Sequence, residues 1–248
     1  MPPRAVYLYA TCLVDLYYPD AGISALGLLQ RAGIDVHFPA DQSCCGQPAW
    51  NSGYRDQARQ VARTQLPLFP EPWPIIIPSG SCAGMMQHHY PTLFANTPDA
   101  ALAADVAGRV WELSRFLVEV VGLQLTDFGP PIKVTLHHSC SARRESGSVA
   151  ATEQLLQQLQ QVTLLEPEQA AECCGFGGTF AVKQPAISAA MVGDKCAALE
   201  ATGAELMVTQ DGGCLLNIEG ALGYQRSSLA CCHLATFLWQ RSGGNIEQ

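Results

Sequence analysis

The sequence predicts an α/β protein of two pseudo-symmetric repeats, each a small, mainly parallel sheet with flanking helices and with cysteines at the carboxyl ends of its strands. Three observations predict it. A four-cysteine pattern is written twice: Cys12, Cys44-Cys45 and Cys82 recur as Cys140, Cys173-Cys174 and Cys214, at offsets of 128, 129, 129 and 132 residues. One unit duplicated with small loop insertions produces such offsets. Short apolar runs alternate with stretches of helical spacing in both halves, the strand-helix alternation of a parallel sheet. Those runs are apolar throughout, as strands covered on both faces are.

In the first half, Ala5 to Tyr9 reads as a strand that runs into Cys12. Pro19 to Arg31 places Ile23, Leu26 and Leu29 at helical spacing, and Gly33 suits a left-handed cap. Arg55 to Phe69 is a second helix, Ile75-Ile76-Ile77 the strand before Cys82, and Trp111 to Val120 a closing helix. The second half repeats the order. A strand from Lys133 to Leu136 precedes Cys140, and helices follow over Ser148 to Val162 and Pro185 to Ala201, the latter with proline at its start and Gly203 past its end. A strand from Leu206 to Val208 precedes Cys214, and His233 to Trp239 closes the half. Asp127 to Pro131 reads as a linker, so the repeats are expected over 1–128 and 129–248, each a compact half. Open parallel sheets bind ligands outside the carboxyl ends of their strands, where Cys12, Cys82, Cys140 and Cys214 are expected.

The 248 residues are 48% hydrophobic, enough for a real core. A net charge of -8, from 14 basic and 22 acidic residues, argues against nucleic acid or an anionic membrane as partner. No apolar run approaches the roughly 18 to 20 residues of a bilayer span. Met-Pro-Pro-Arg before Ala5 lacks the apolar core of a secretion signal, so a cytoplasmic protein is expected. In a reducing cytosol, eleven cysteines are metal ligands, redox groups or core residues rather than disulfides. There is no Walker loop, dinucleotide fingerprint or nucleophile elbow.

Four thiolates carried on three loops can wrap a soft metal ion or an iron-sulfur cluster. Zinc usually takes cysteines two to four residues apart, a spacing neither four-cysteine set contains, whereas adjacent cysteines more easily serve different irons of a larger cluster. The turns at Gly46 and at Gly175, Gly177 and Gly178 have free amides to donate to cluster sulfides. Zinc is the alternative.

Three stretches, PSGSCAGMM at 78–86, AECCGFGGTFAVK at 171–183 and GCLLN at 213–217, carry a resemblance that covers nearly the whole chain. They resemble the cysteine-rich family named for its Cys-Cys-Gly motif, and the middle stretch is highly specific. The family includes the cysteine-rich subunit of heterodisulfide reductase, the iron-sulfur subunit of glycolate oxidase and, nearest in pattern, the first subunit of the bacterial L-lactate utilisation complex. The resemblance implies a cytoplasmic iron-sulfur redox subunit. Such a subunit works with a ferredoxin-like, cubane-cluster subunit and a third subunit in oxidising L-lactate, or a related 2-hydroxy acid such as glycolate, to the 2-oxo acid. In the heterodisulfide reductase relatives each repeat ends Cys-x-x-Cys, but here Met85 and Asn217 hold the last positions. Four cysteines per half remain, and one four-iron, four-sulfide (4Fe-4S) cluster per repeat is expected. Two other classes stay open: a zinc-stabilised scaffold, and a thiol-disulfide reductase of the heterodisulfide type, which the missing Met85 and Asn217 thiols weigh against.

His138, Lys183 and Arg143 lie close in sequence to cysteine loops and are the candidates for moving a proton or binding a carboxylate. His137, His88, His89 and His233 could each bond a cluster sulfide or move a proton, and read first as capping, surface or core residues. Cys196 reads as packing within a helix. Cys231-Cys232, which lacks the following glycine, reads as core at the start of the last helix. Asp211 reads equally as a loop cap and as a proton acceptor.

Overall fold

The computed structural model describes residues 2–245. Its strands form two four-stranded sheets. β1 (Ala5–Leu8), β2 (Asp35–His37), β3 (Ile75–Ile77) and β4 (Val110–Glu112) lie in the order β2-β1-β3-β4. β5 (Ile132–Leu136), β6 (Val162–Leu165), β7 (Leu206–Thr209) and β8 (Ala230–His233) repeat it as β6-β5-β7-β8. Every neighbouring pair is parallel. The winding reverses between β1 and β3, and again between β5 and β7, so each sheet opens a crevice at the carboxyl ends of those strands. Cys12 and Cys82 follow one such pair, Cys140 and Cys214 the other. The ladders extend equally past both crevices. Tyr9 N–H donates to the Ile76 carbonyl at 2.9 Å, and His137 N–H to the Val208 carbonyl at 3.0 Å, which puts Tyr9 and His137 in the same register.

Helix Pro19–Arg31 forms where it is expected, but the face it buries is Ala21, Ala25, Leu28 and Leu29, with Ile23 of the expected stripe exposed. Arg55–Gln65 and Pro185–Glu200 are also helical, the first tightening into a 3-10 turn over Leu66–Leu68, around Pro67. Other boundaries move. The helix expected to reach Val162 ends at Gln157, because Val162 opens edge strand β6. The closing helices begin later than expected, since Trp111 belongs to β4 and Cys231, Cys232 and His233 to β8. Cys231 and Cys232 are therefore partly buried strand residues rather than the start of a helix. No turn residue separates strand from helix at these points, and side chains mark the junction instead. Glu112 Oε2 accepts from the Arg115 N–H at 3.2 Å, and His233 Nδ1 from the Ala235 N–H at 3.2 Å. Leu113–Arg115 then runs into a wide π turn over Phe116–Val121, and Leu234–Arg241 forms the last helix.

Alternation along the central strands divides the core. Tyr7, Tyr9, Ile75 and Ile77 face an outer layer with Ala58, Leu66, Met86, Tyr90 and Phe94. Met207 faces the equivalent layer with Val192, Leu199 and Ile218. The opposite faces, Val6, Leu8 and Ile76 from one sheet and Val134 and Val208 from the other, meet a single layer of helices. Within it, Leu234–Arg241 of the second half packs on Pro19–Arg31 of the first, while Val149–Gln157 of the second packs on Leu113–Arg115 and Phe116–Val121 of the first. Each half's closing helix completes the other half. The halves thus share a core instead of being separately compact, and each buried leucine in it contributes about 1.5–3 kcal/mol. The segment read as a linker is also held: Arg241 pairs with Asp127 at 2.6 Å and donates to the Pro130 carbonyl at 2.6 Å.

Candidate metal centre

In the first half, Cys12 opens the helix Cys12–Tyr17 directly after β1, Cys44-Cys45 lie in the loop before the short helix Gln47–Asn51, and Cys82 sits in Gly80–Gly84 after β3. Cys45 donates to Cys82 with their Sγ atoms 3.4 Å apart, and Cys12 and Cys44 line the same cleft beside them. The second half repeats the arrangement: Cys174 donates to Cys214 at 3.2 Å, with Cys140 and Cys173 beside them. Glycine shapes both central turns. Gly46 and Gly175 have φ of 88° and 79°, and their N–H groups donate to Cys44 and Cys173 Sγ, each at 3.4 Å. A Cβ would sit 2.9 Å from the Ala58 carbonyl oxygen at Gly46 and 2.9 Å from that of Ser188 at Gly175, so a side chain is excluded by space as well as by conformation.

One thiol in each half is shifted towards its ionised form. Hydrogen bonds from Cys12 and then Cys45 hold Cys44 well below the ordinary thiol range, with the Gly46 amide adding to them. Cys173 is held down in the same way by Cys140, then Cys174 and the Gly175 amide. Cys12 and Cys140 move up, first through their bonds to those sulfurs and then through burial. A thiolate is the form that binds metal.

All eight cysteines line one cleft of about 280 Å³ between the halves. Small residues let the halves approach reciprocally: a Cβ at Gly80 would lie 3.4 Å from the Ala142 nitrogen, and one at Gly212 3.5 Å from Leu13 Cβ. Asp211 joins them across the cleft. Its Oδ2 accepts from the Ser81 N–H at 2.8 Å, and its Oδ1 from the Ser81 hydroxyl and the Gly213 N–H, each at 3.2 Å. It therefore caps its own helix, Gly212–Gln225, and also binds the other half. Among the described residues it is the only titratable group on the cleft besides the thiols, and burial raises its pKa above the usual carboxylate value.

Four sulfurs per half, clustered beside a backbone amide, form a donor set suited to a soft metal or an iron-sulfur centre. Bonds of about 2.3 Å place the sulfurs of tetrahedral zinc about 3.8 Å apart. The 3.2 and 3.4 Å sulfur pairs need to open only slightly for a single ion, and further for a polynuclear cluster.

The halves differ around this common plan. The Asn217 amide donates to the Cys174 carbonyl at 2.7 Å, whereas Tyr90 hydroxyl donates to the Cys45 carbonyl at 3.1 Å and Met85 is packed in the outer core. Tyr9 and His137 differ as well. His137 is buried near Cys174 and Cys214. Burial above all, reinforced by the Lys195 charge, pushes its pKa down to about 3.

The candidate catalytic side chains do not meet in the cleft. His138 Nε2 turns to Glu153 at 3.3 Å, and Arg143 donates to the Ala170 carbonyl at 3.0 Å. Lys183 donates to the Tyr54 hydroxyl at 3.1 Å and borders a second pocket, also lined by Cys173. Gly177 and Gly178 line the cleft, with a Cβ at Gly178 3.3 Å from Pro48 of the first half. His88 and His89 contact Glu145, His233 Nε2 bonds the Pro78 carbonyl, and Cys196 is buried with its Sγ 3.9 Å from the Ile218 carbonyl. Reading along the chain missed the bridging place of Asp211 and the position of His137 beside Cys174 and Cys214. The one signal for the latter was its position past a strand, in step with Tyr9.

Fold and site together define a class: a duplicated parallel α/β protein whose two four-cysteine sets share one cleft. The model of the CCG family, described as "Cysteine-rich domain", matches residues 6–87 and 134–219, once in each half. The chain belongs to that family. It is 40% identical over 236 residues to "Lactate utilization protein A" of Shouchella clausii (strain KSM-K16), covering 94% of this chain and 98% of the relative. It is 39% identical over 243 residues to the protein of the same name from Oceanobacillus iheyensis, covering 96% and 98%. A crystal structure of a hypothetical protein from Helicobacter pylori aligns with a TM-score of 0.68 at 12% identity, over 99% of this chain and 50% of that one, a likeness of fold alone. No helix of the described residues is long and apolar enough to cross a membrane.

Proposed function

We propose that this chain is an iron-sulfur redox subunit of a complex that oxidises L-lactate, or a related 2-hydroxy acid such as glycolate, to the 2-oxo acid. The single observation that carries it is the convergence of two four-cysteine sets on one cleft, in a chain similar along almost its whole length to proteins named for lactate utilisation. Cys12, Cys44, Cys45 and Cys82 hold one 4Fe-4S cluster, and Cys140, Cys173, Cys174 and Cys214 the other. Such clusters supply one-electron steps. The chain's own contribution is to hold the sulfurs, to donate amides from Gly46 and Gly175, and to keep one buried carboxyl, Asp211, where a proton can be moved. A ferredoxin-like, cubane-cluster subunit and a third subunit are the proposed partners, and the cytoplasm the proposed location.

Metal and sulfide content of protein purified without oxygen tests this. About eight irons and eight sulfides per chain are expected. Adding L-lactate to the chain assembled with both partners is expected to bleach the cluster absorbance. A zinc-stabilised scaffold is the second reading, favoured by the short sulfur separations. It predicts one or two zincs, no sulfide and no response to lactate.

A further inference from the structure

His137 has no role in the hydrogen bonding of the fold beyond its backbone. It stands one residue past β5 and three before Cys140, it is 2% exposed, and neither of its ring nitrogens has a hydrogen-bond partner. Leaving a buried donor and acceptor unmatched is costly, and native proteins rarely do so without a reason. One ring nitrogen, Cys174 Sγ and Cys214 Sγ all lie within 4.8 Å of one another. Tyr9, in the same register of the first half, is different: its hydroxyl donates to the Ser43 carbonyl at 2.5 Å.

We propose that His137 is a nitrogen ligand of the second metal centre, beside Cys174 and Cys214, so that the first centre is held by sulfur alone and the second by sulfur and imidazole. This rests on the metal-centre reading above. Imidazole suits iron and zinc alike. Where His137 takes the iron position of one of the four thiolates assigned above, negative charge is removed and the reduction potential of an iron-sulfur centre rises, so the second centre is the electron sink of the pair. The duplicated fold thereby acquires a direction for electron flow.

The test uses the full chain, purified without oxygen, reconstituted with ferrous iron and sulfide, reduced, and examined by pulsed EPR for nitrogen hyperfine coupling from an iron-bound imidazole. The coupling is expected in the wild type and absent from His137→Ala and His137→Tyr, with a lower midpoint potential for one of the two clusters. The tyrosine variant copies the first half and guards against misfolding around an alanine cavity, with circular dichroism as the check. Wild-type clusters without nitrogen coupling, or coupling that survives in both variants, overturn the proposal. A chain that takes up no iron and sulfide defeats the iron-sulfur reading instead. Cobalt(II) titration of the metal-free chain then decides the role of His137: affinity at one of two sites falls about tenfold or more in both variants, and unchanged affinity overturns it.

Discussion

Gly175 holds its backbone at a positive φ while its amide reaches Cys173, and the Ser188 carbonyl leaves no space for a Cβ. Gly175→Ala is therefore expected to lower stability by about 1–3 kcal/mol and to weaken metal retention in the second half only. Urea denaturation together with metal content checks both effects, and an unchanged midpoint would mean the turn relaxes at no cost. The cysteines separate by position in the same way. Cys140→Ser is expected to remove about half of the bound metal, because a neutral hydroxyl replaces a sulfur of the chain. Cys196→Ser, buried away from the cleft, is expected to leave metal content unchanged. Metal analysis of the two variants side by side tests the ligand assignment, and equal losses would sink it. The cysteines and their glycines were legible in the sequence because spacing and doubling are properties of the chain itself. Asp211 was only half legible, since its capping role is local but its bond to Ser81 spans 130 residues.

Among the elements, those with a long apolar stripe were placed best. Pro19–Arg31 carries its buried residues at helical spacing between a proline and Gly33, so its ends are written locally. Edge strands were missed. β2 reads Asp35-Val36-His37, with both polar ends exposed and no apolar run to mark it. β4 was read as helix because nothing between Glu112 and Leu113 signals a turn, and the Glu112 side chain supplies the junction instead. Its carboxyl is fully buried, and burial raises its pKa from 4.5 to about 7, against hydrogen bonds from Ser114 and Arg115. The folded state thus binds this proton more tightly than the unfolded chain does. The contribution of Glu112 to stability is fullest below pH 4.5 and declines as pH rises to about 7, by about 3 kcal/mol in all. Glu112→Gln, which keeps an accepting oxygen but no charge, is expected to gain stability relative to the wild type at pH 8 and to match it near pH 4. Chemical denaturation at the two pH values measures the difference, and a gain that does not depend on pH would contradict it.

For the molecule as a whole, the shared helical layer predicts that the halves unfold together. Leu28→Ala, in the first half against the last helix of the second, is expected to cost about 2–5 kcal/mol in one transition seen equally by probes in both halves. Expressed alone, residues 1–128 are expected to show no cooperative unfolding, because they lack the Leu234–Arg241 helix that covers Pro19–Arg31. A sharp transition in that fragment would show the boundary near Phe128 to be a folding boundary as well as a proposed repeat boundary. By itself the sequence determined the duplication, the parallel α/β class, and which residue types could bind metal. All of these rest on spacing and periodicity within short stretches. Only the tertiary structure decided that closing helices cross between halves, that eight sulfurs share one cleft, and that His137 lies buried and unmatched beside Cys174. These depend on which apolar faces bury against each other across more than a hundred residues, and no local pattern records that choice.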